Sequence, residues 1–107
     1  MIELIRYQQE DGREPYTERF RGLRDQIAKA RIESRLRQIK SGNPGDWKSV
    51  GEGVTELRID VGAGYRVYCG RHGMDWAILL CGGDKDSQTK DIARAKALWA
   101  DWKRRLP

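Results

Sequence analysis

Gly53-Val54-Thr55-Glu56-Leu57-Arg58-Ile59-Asp60, followed after a Gly-rich corner by Gly64-Tyr65-Arg66-Val67-Tyr68, decides how this 107-residue chain folds. Leu57, Ile59 and Val61 alternate with Glu56, Arg58 and Asp60, the pattern of a half-buried strand. Successive side chains in a strand point to opposite faces. With Leu57 and Ile59 toward the core, Glu56 and Arg58 take the other side, and Arg66 and Tyr68 join them from the next strand. Tyr65 has the opposite parity and falls in the core or bends over the corner. One sheet face then carries two guanidiniums, a carboxylate and a tyrosine, a surface suited to a phosphodiester.

Outward from these strands, the Gly70-Arg71-His72-Gly73 segment reads as a hairpin connection, with His72 an exposed turn residue. Residues 75–81 form a third strand that is apolar on both faces and therefore central, ended by Gly82-Gly83. The basic turn Asp84-Lys85-Asp86 follows. Ile92, Ala95, Trp99, Trp102 and Leu106 recur at intervals of three and four, an amphipathic helix capped by Asp86 or Ser87, with both tryptophans packed in the core. Toward the N-terminus, residues 2–7 read as a short strand. Pro15 suits a first helical position. Phe20, Leu23 and Ile27, then Ala28, Ile32, Leu36 and Ile39, lie at helical spacing, and the shift of stripe near residues 22–25 predicts two helices, the second capped by Asp25. Gly42 and Asn43-Pro44-Gly45 close that section. The expected order is β-α-α-β-β-β-α, an α+β domain with a mainly antiparallel sheet and helices packed on one face.

Composition narrows the class. Charged residues make up 35% and hydrophobic ones 38%, with a net charge of +5, so the reading is one soluble domain, residues 1–107, with a heavily charged exterior and a preference for phosphate-bearing or acidic partners. No stretch approaches the roughly 18 apolar residues of a membrane span and no leader pattern opens the chain, so a cytoplasmic location and no membrane partner are expected. Cys69 and Cys81 sit in apolar runs and read as buried free thiols, a disulfide being the minor alternative. A single histidine and no Cys-x-x-Cys argue against a zinc site.

The order of elements, with Gly53-Val54-Thr55-Glu56-Leu57-Arg58-Ile59, Gly64-Tyr65-Arg66-Val67-Tyr68 and Leu79-Leu80-Cys81-Gly82-Gly83-Asp84-Lys85-Asp86-Ser87-Gln88, resembles the RelE/ParE superfamily of toxins from type II toxin-antitoxin modules, and within it the HigB-like addiction-module killer proteins. The likeness implies a RelE-like fold, a metal-independent and cofactor-free endoribonuclease that cuts messenger RNA on the ribosome and so inhibits translation, and a cognate helix-turn-helix antitoxin as partner. It also leaves two alternatives: a ParE-like inhibitor of DNA gyrase without nuclease activity, and a non-catalytic basic module that binds RNA or protein. Arg66 matches the arginine after Gly-Tyr, Arg58 falls near a strand lysine of the cutters, and Lys85 falls at the basic position after the last strand. Where the cutters have a C-terminal tyrosine, this chain has Asp91 or a neighbour.

Cutting RNA without a metal requires removing a 2′-hydroxyl proton, stabilising a phosphorane and protonating the 5′ oxygen. Arg66 and Arg58 suit the middle task through bidentate, charge-assisted hydrogen bonds, each contributing about 2–4 kcal/mol by analogy with other anion holes. Their bland reading is pairing with Glu56 and Asp60 across the strands. Glu56 is either a general base or an ion-pair partner, and flanking arginines favour the second. Lys85 is either a phosphate contact and proton donor or a solvated turn lysine. Tyr68 and Tyr65 are candidates to stack on an unpaired base, and Lys48 and Lys90 to touch the RNA backbone. The basic helical section from Arg19 to Lys40 reads as a solvated face, a ribosomal RNA contact or a ridge for an acidic antitoxin segment.

Overall fold

A computed structural model describes residues 2–43, 45–73 and 76–106. The elements are β1 (Glu3–Arg6), α1 (Pro15–Arg21), α2 (Gln26–Lys40), β2 (Trp47–Gly51), β3 (Val54–Ile59), β4 (Tyr65–His72), β5 (Trp76–Asp84) and α3 (Gln88–Arg104). They form an α+β domain around one five-stranded mixed sheet of order β1-β5-β4-β3-β2. β1 runs parallel to β5, and every other pairing is antiparallel.

Local chemistry accounts for the helices. Pro15 occupies the start of α1, where its missing N–H is no loss. Asp25 accepts the Ala28 amide at 3.0 Å and so starts α2 as a new helix. At the other end Gly42, at φ +94°, donates to the Ile39 carbonyl while Asn43 donates to Gln38, a Schellman closure that only a left-handed residue makes without strain. The loop's Pro44 lies outside the described residues. Ala28, Ile32 and Ile39 are buried as their spacing predicts. Ile27 is not: it is 65% exposed, because the chain between α1 and α2 breaks the phase that linked it to Phe20 and Leu23.

Three expectations need correction. The helices do not share one face. Leu57, Ile59, Val67, Cys69, Ala77 and Leu79 pack with Tyr16 of α1 and Ile32 and Ile39 of α2, whereas Val54, Tyr68, Ile78 and Leu80 pack with Ala95 and Trp99 of α3. β5 is apolar on both sides and Val54 and Tyr68 add to its α3 side, so each side of the sheet has an apolar area that needs a helical cover. Secondly, a strand precedes β3: β2 pairs with it from Trp47 opposite Leu57 to Gly51 opposite Val54. β2 is an edge strand whose residues are mostly exposed, so it shows no alternation to read. Thirdly, β4 continues to His72 and β5 runs through Gly82 and Gly83 to Asp84. Asp75, expected to open this strand, lies outside the described residues.

The irregularity in β5 positions the site. Cys69 pairs with Leu79 and Tyr68 with Cys81, which leaves Leu80 as an extra residue in the ladder. Parity flips there, so Leu80 and Cys81 both join the α3 side and Gly83 lies opposite Arg66. Gly83 must lack a side chain, because a Cβ would overlap the Asp91 carboxylate of α3. Trp99 lies against Gly70 for the same reason, since a Cβ there would come within 2.5 Å of its indole ring.

Cys69 and Cys81 are buried free thiols on opposite sides of the sheet, and burial pushes both up to about 12. No helix among the described residues is long and apolar enough to cross a membrane.

Candidate functional site

The ladder between β3 and β4 sets Glu56 opposite Tyr68 and Arg58 opposite Arg66, all four on the α3 side of the sheet. Lys48 extends the first row from β2, where it pairs with Glu56 and remains exposed. Glu56 is completely buried. Its Oε1 accepts from Arg58 Nε at 3.0 Å and lies 3.8 Å from Arg66 Nε. Its Oε2 accepts from Tyr68 Oη at 3.0 Å and from Gln88 Nε2 at 2.8 Å.

These contacts decide what Glu56 is. Burial pushes its carboxyl pKa up, but hydrogen bonds from Arg58, Gln88 and Tyr68 and the charge on Arg58 outweigh that and hold it below the usual value. An ionised carboxylate with no solvent exposure and donors on both oxygens is closed to a substrate hydroxyl. The general-base reading of Glu56 is therefore replaced by an ion-pair role.

The arginines differ in access. Arg58 directs Nε at Glu56 and keeps 36% of its side chain exposed. Arg66 is only 9% exposed, and its Nη1 donates to the carbonyls of Gly64 at 3.0 Å and Tyr65 at 3.3 Å, which ties it to the corner before β4. Its Nε has no hydrogen-bond partner among the described residues. Beside Arg66, an open groove of about 340 Å³ is lined by residues 60–64, Arg66 and Lys85. Gly62 and Gly64 stand at φ +56° and +74°, conformations that also keep bulky side chains off this rim. Lys85 is exposed at the end of β5. Arg58, Arg66 and Lys85 against the carboxylates of Glu56 and Asp60 leave this region with a net positive charge.

The turn that delivers α3 to the site is built on Asp84, which accepts from the amides of Asp86 at 3.0 Å and Ser87 at 3.1 Å. Ser87 holds the capping position, but its hydroxyl turns to Asp84 and Asp91 and makes no cap hydrogen bond. Asp84 also meets Arg19 of α1 at 3.3 Å.

Over 76 residues the chain is 53% identical to an uncharacterized protein of Haemophilus influenzae, an alignment covering 71% of this chain and 77% of that one. The chain belongs to that protein's family. No protein-family profile matches it, and no solved structure matches it.

In this member of the family the fold brings Arg58 and Tyr68 into hydrogen-bond contact with Glu56 and sets Arg66 3.8 Å from it, with Lys85 on the groove beside Arg66 and Lys48 at the edge of the same face. It does not bring in the others. Tyr65 packs against the core on the α1 and α2 side. Tyr68 is fully buried, so it has no face to offer a base; its hydroxyl serves Glu56 instead, and burial with the nearby Glu56 charge pushes its pKa up. Both base-stacking assignments are thus corrected. Lys90 is exposed on the first turn of α3. His72 is exposed as expected and stands edge-on to Trp102 at 5.3 Å. Gln88 was missed by the residue types alone. Its signal was spacing, since residues 88, 92, 95 and 99 lie on one helical stripe and a polar residue there needs a buried partner.

Proposed function

We propose that this protein is the toxin of a type II toxin-antitoxin module with a RelE-like fold, a ribosome-dependent endoribonuclease that cuts messenger RNA and is neutralised by a helix-turn-helix antitoxin. The observation that carries the reading is the pairing of Arg58 with Arg66 on one sheet face beside the open groove that Lys85 shares. Cations fixed in this way stabilise the charge that gathers on a phosphorane, because they need no reorganisation as it forms. The element order and the Gly-Tyr-Arg and Gly-Gly-Asp-Lys segments support the same assignment.

The chemistry falls on the cations. Arg58 and Arg66 grip the scissile phosphate; the 2′-hydroxyl attacks phosphorus and gives its proton to solvent water, and as the P–O5′ bond breaks Lys85 gives a proton to the leaving 5′ oxygen. Glu56 orients the guanidiniums, and the ribosome supplies the frame that aligns the 2′-hydroxyl. Because Glu56 is sealed, the carboxylate at the centre of the cluster cannot act as the base, and that feature favours a second reading as a ParE-like gyrase inhibitor without nuclease activity.

Inducing the chain in cells and mapping RNA 5′ ends separates the two. Codon-linked cuts in translated messages are expected; intact messages with DNA breaks would sink the nuclease. Arg58→Ala, at the more exposed guanidinium, should slow cutting about 100-fold or more while the circular dichroism stays native.

A further inference from the structure

We infer that Gln88 is a positioning residue for the arginine pair: by drawing Glu56 toward α3 it keeps Arg66 beside the groove and out of a closed ion pair. Gln88 opens α3 and faces the sheet on the stripe of Ile92, Ala95 and Trp99, where an apolar residue would pack as well. It spends that place on one hydrogen bond, at 2.8 Å, to Glu56 Oε2. Tyr68 serves the same oxygen at 3.0 Å. Both donors are neutral. They stabilise the carboxylate without drawing on the Arg66 guanidinium, for which Glu56 and a phosphate are rival anions.

The consequence appears at Arg66. Its Nε is buried, has no hydrogen-bond partner among the described residues and stands 3.8 Å from Glu56 Oε1, within ion-pair range but beyond hydrogen-bonding distance although the charges are opposite. A buried N–H beside an acceptor is expected to close that gap unless the acceptor is held elsewhere. Gln88, Tyr68 and Arg58 hold it. Without Gln88, a lone pair on a fully buried carboxylate loses its partner, and Arg66 is the nearest donor still unsatisfied there. Closing that contact draws the guanidinium from the carbonyls of Gly64 and Tyr65, and with them from the groove. The effect on phosphate grip rests on the nuclease reading; the placement of Arg66 does not.

Nuclear magnetic resonance of the arginine Nε–H groups tests the placement, and titration with a short single-stranded RNA tests the grip. In Gln88→Met, which keeps the length of the side chain and removes its donor, the Arg66 Nε–H signal should move downfield and exchange with water more slowly. RNA affinity should fall about tenfold, the worth of one charge-assisted hydrogen bond. An unmoved Arg66 signal in a folded Gln88→Met overturns the positioning role. If the native chain binds no RNA but the signal moves, the role stands and the nuclease reading falls. Should Gln88→Met fail to fold, Gln88→Ala removes the donor without adding bulk or charge. It is expected to draw Arg66 in and move the same signal, and no movement there also overturns the role.

Discussion

Glu56 is held by three hydrogen-bond donors with Arg66 beside them at 3.8 Å, and the energetic weight of the site rests on it. Removing one partner of a buried ionic group strands the others, which costs about 3 kcal/mol or more. Glu56→Gln should accordingly lower the urea midpoint by an amount worth about 3 kcal/mol, with Arg66 left facing an amide. The carboxyl also sets an acid limit. Its folded pKa lies below the ordinary glutamate value of 4.5, so its stabilisation is complete above that value and is lost as pH falls through the folded one. A stability profile between pH 6 and 3 is therefore expected to be flatter in Glu56→Gln than in the native chain. Strand parity alone was enough to predict that Glu56, Arg58, Arg66 and Tyr68 share a face. It did not reveal that α3 covers them. Parity fixes direction along a strand, whereas burial depends on what arrives from residues distant in sequence.

Among the elements, α3 is held along its length. At its start Gln88 meets Glu56, in its middle Trp99 lies on Gly70, and near its end Asp101 accepts from Tyr7 Oη at 2.6 Å. The Gly70 contact permits a sharp test. A Cβ would come within 2.5 Å of an aromatic ring already stacked on Trp102 at 5.1 Å, so nothing flexible is available to yield. Gly70→Ala should lose about 1–3 kcal/mol in denaturant unfolding, where alanine in a strand would ordinarily stabilise. Asp25→Ala, removing the cap of α2, should cost about 1 kcal/mol by the same measurement. Legibility followed the source of each element's stability. The start and end of α2 were readable because Asp25 and Gly42 act on amides and carbonyls within a few residues. β2 was not, since its place comes from pairing with β3 and it buries little of its own. Nor was the extra residue at Leu80, which has no composition signal and exists only in the ladder with β4.

For the whole molecule, a sheet covered on both sides has few ways to admit charge. Cys69, Cys81 and Tyr16 are each pushed up to about 12 by burial. Groups whose folded pKa is raised stabilise the fold fully below their unfolded values and lose that stabilisation as pH rises. The unfolded thiols ionise near 9, so stability should decline from about pH 9 upward, earlier than acid effects alone would predict. Thermal unfolding between pH 7 and 11 checks it. In the same range, alkylation of either cysteine should proceed only as fast as the chain opens, which mass spectrometry against time and urea will show.

What the residues determined by themselves is the place of the three helices and of β1, β3, β4 and the start of β5, and the ionic character of one sheet face, because side-chain alternation and capping are local properties of the backbone. Only the tertiary structure decided that this face lies under α3, that Glu56 is a sealed anchor, and that Tyr68 serves its carboxylate. Those outcomes depend on the bulge in β5 and the docking of Gln88, which bring together groups 32 residues apart. Whether a carboxylate is a base or a fixed counter-charge is settled by its solvent access and its donors, and both arise only when distant segments pack.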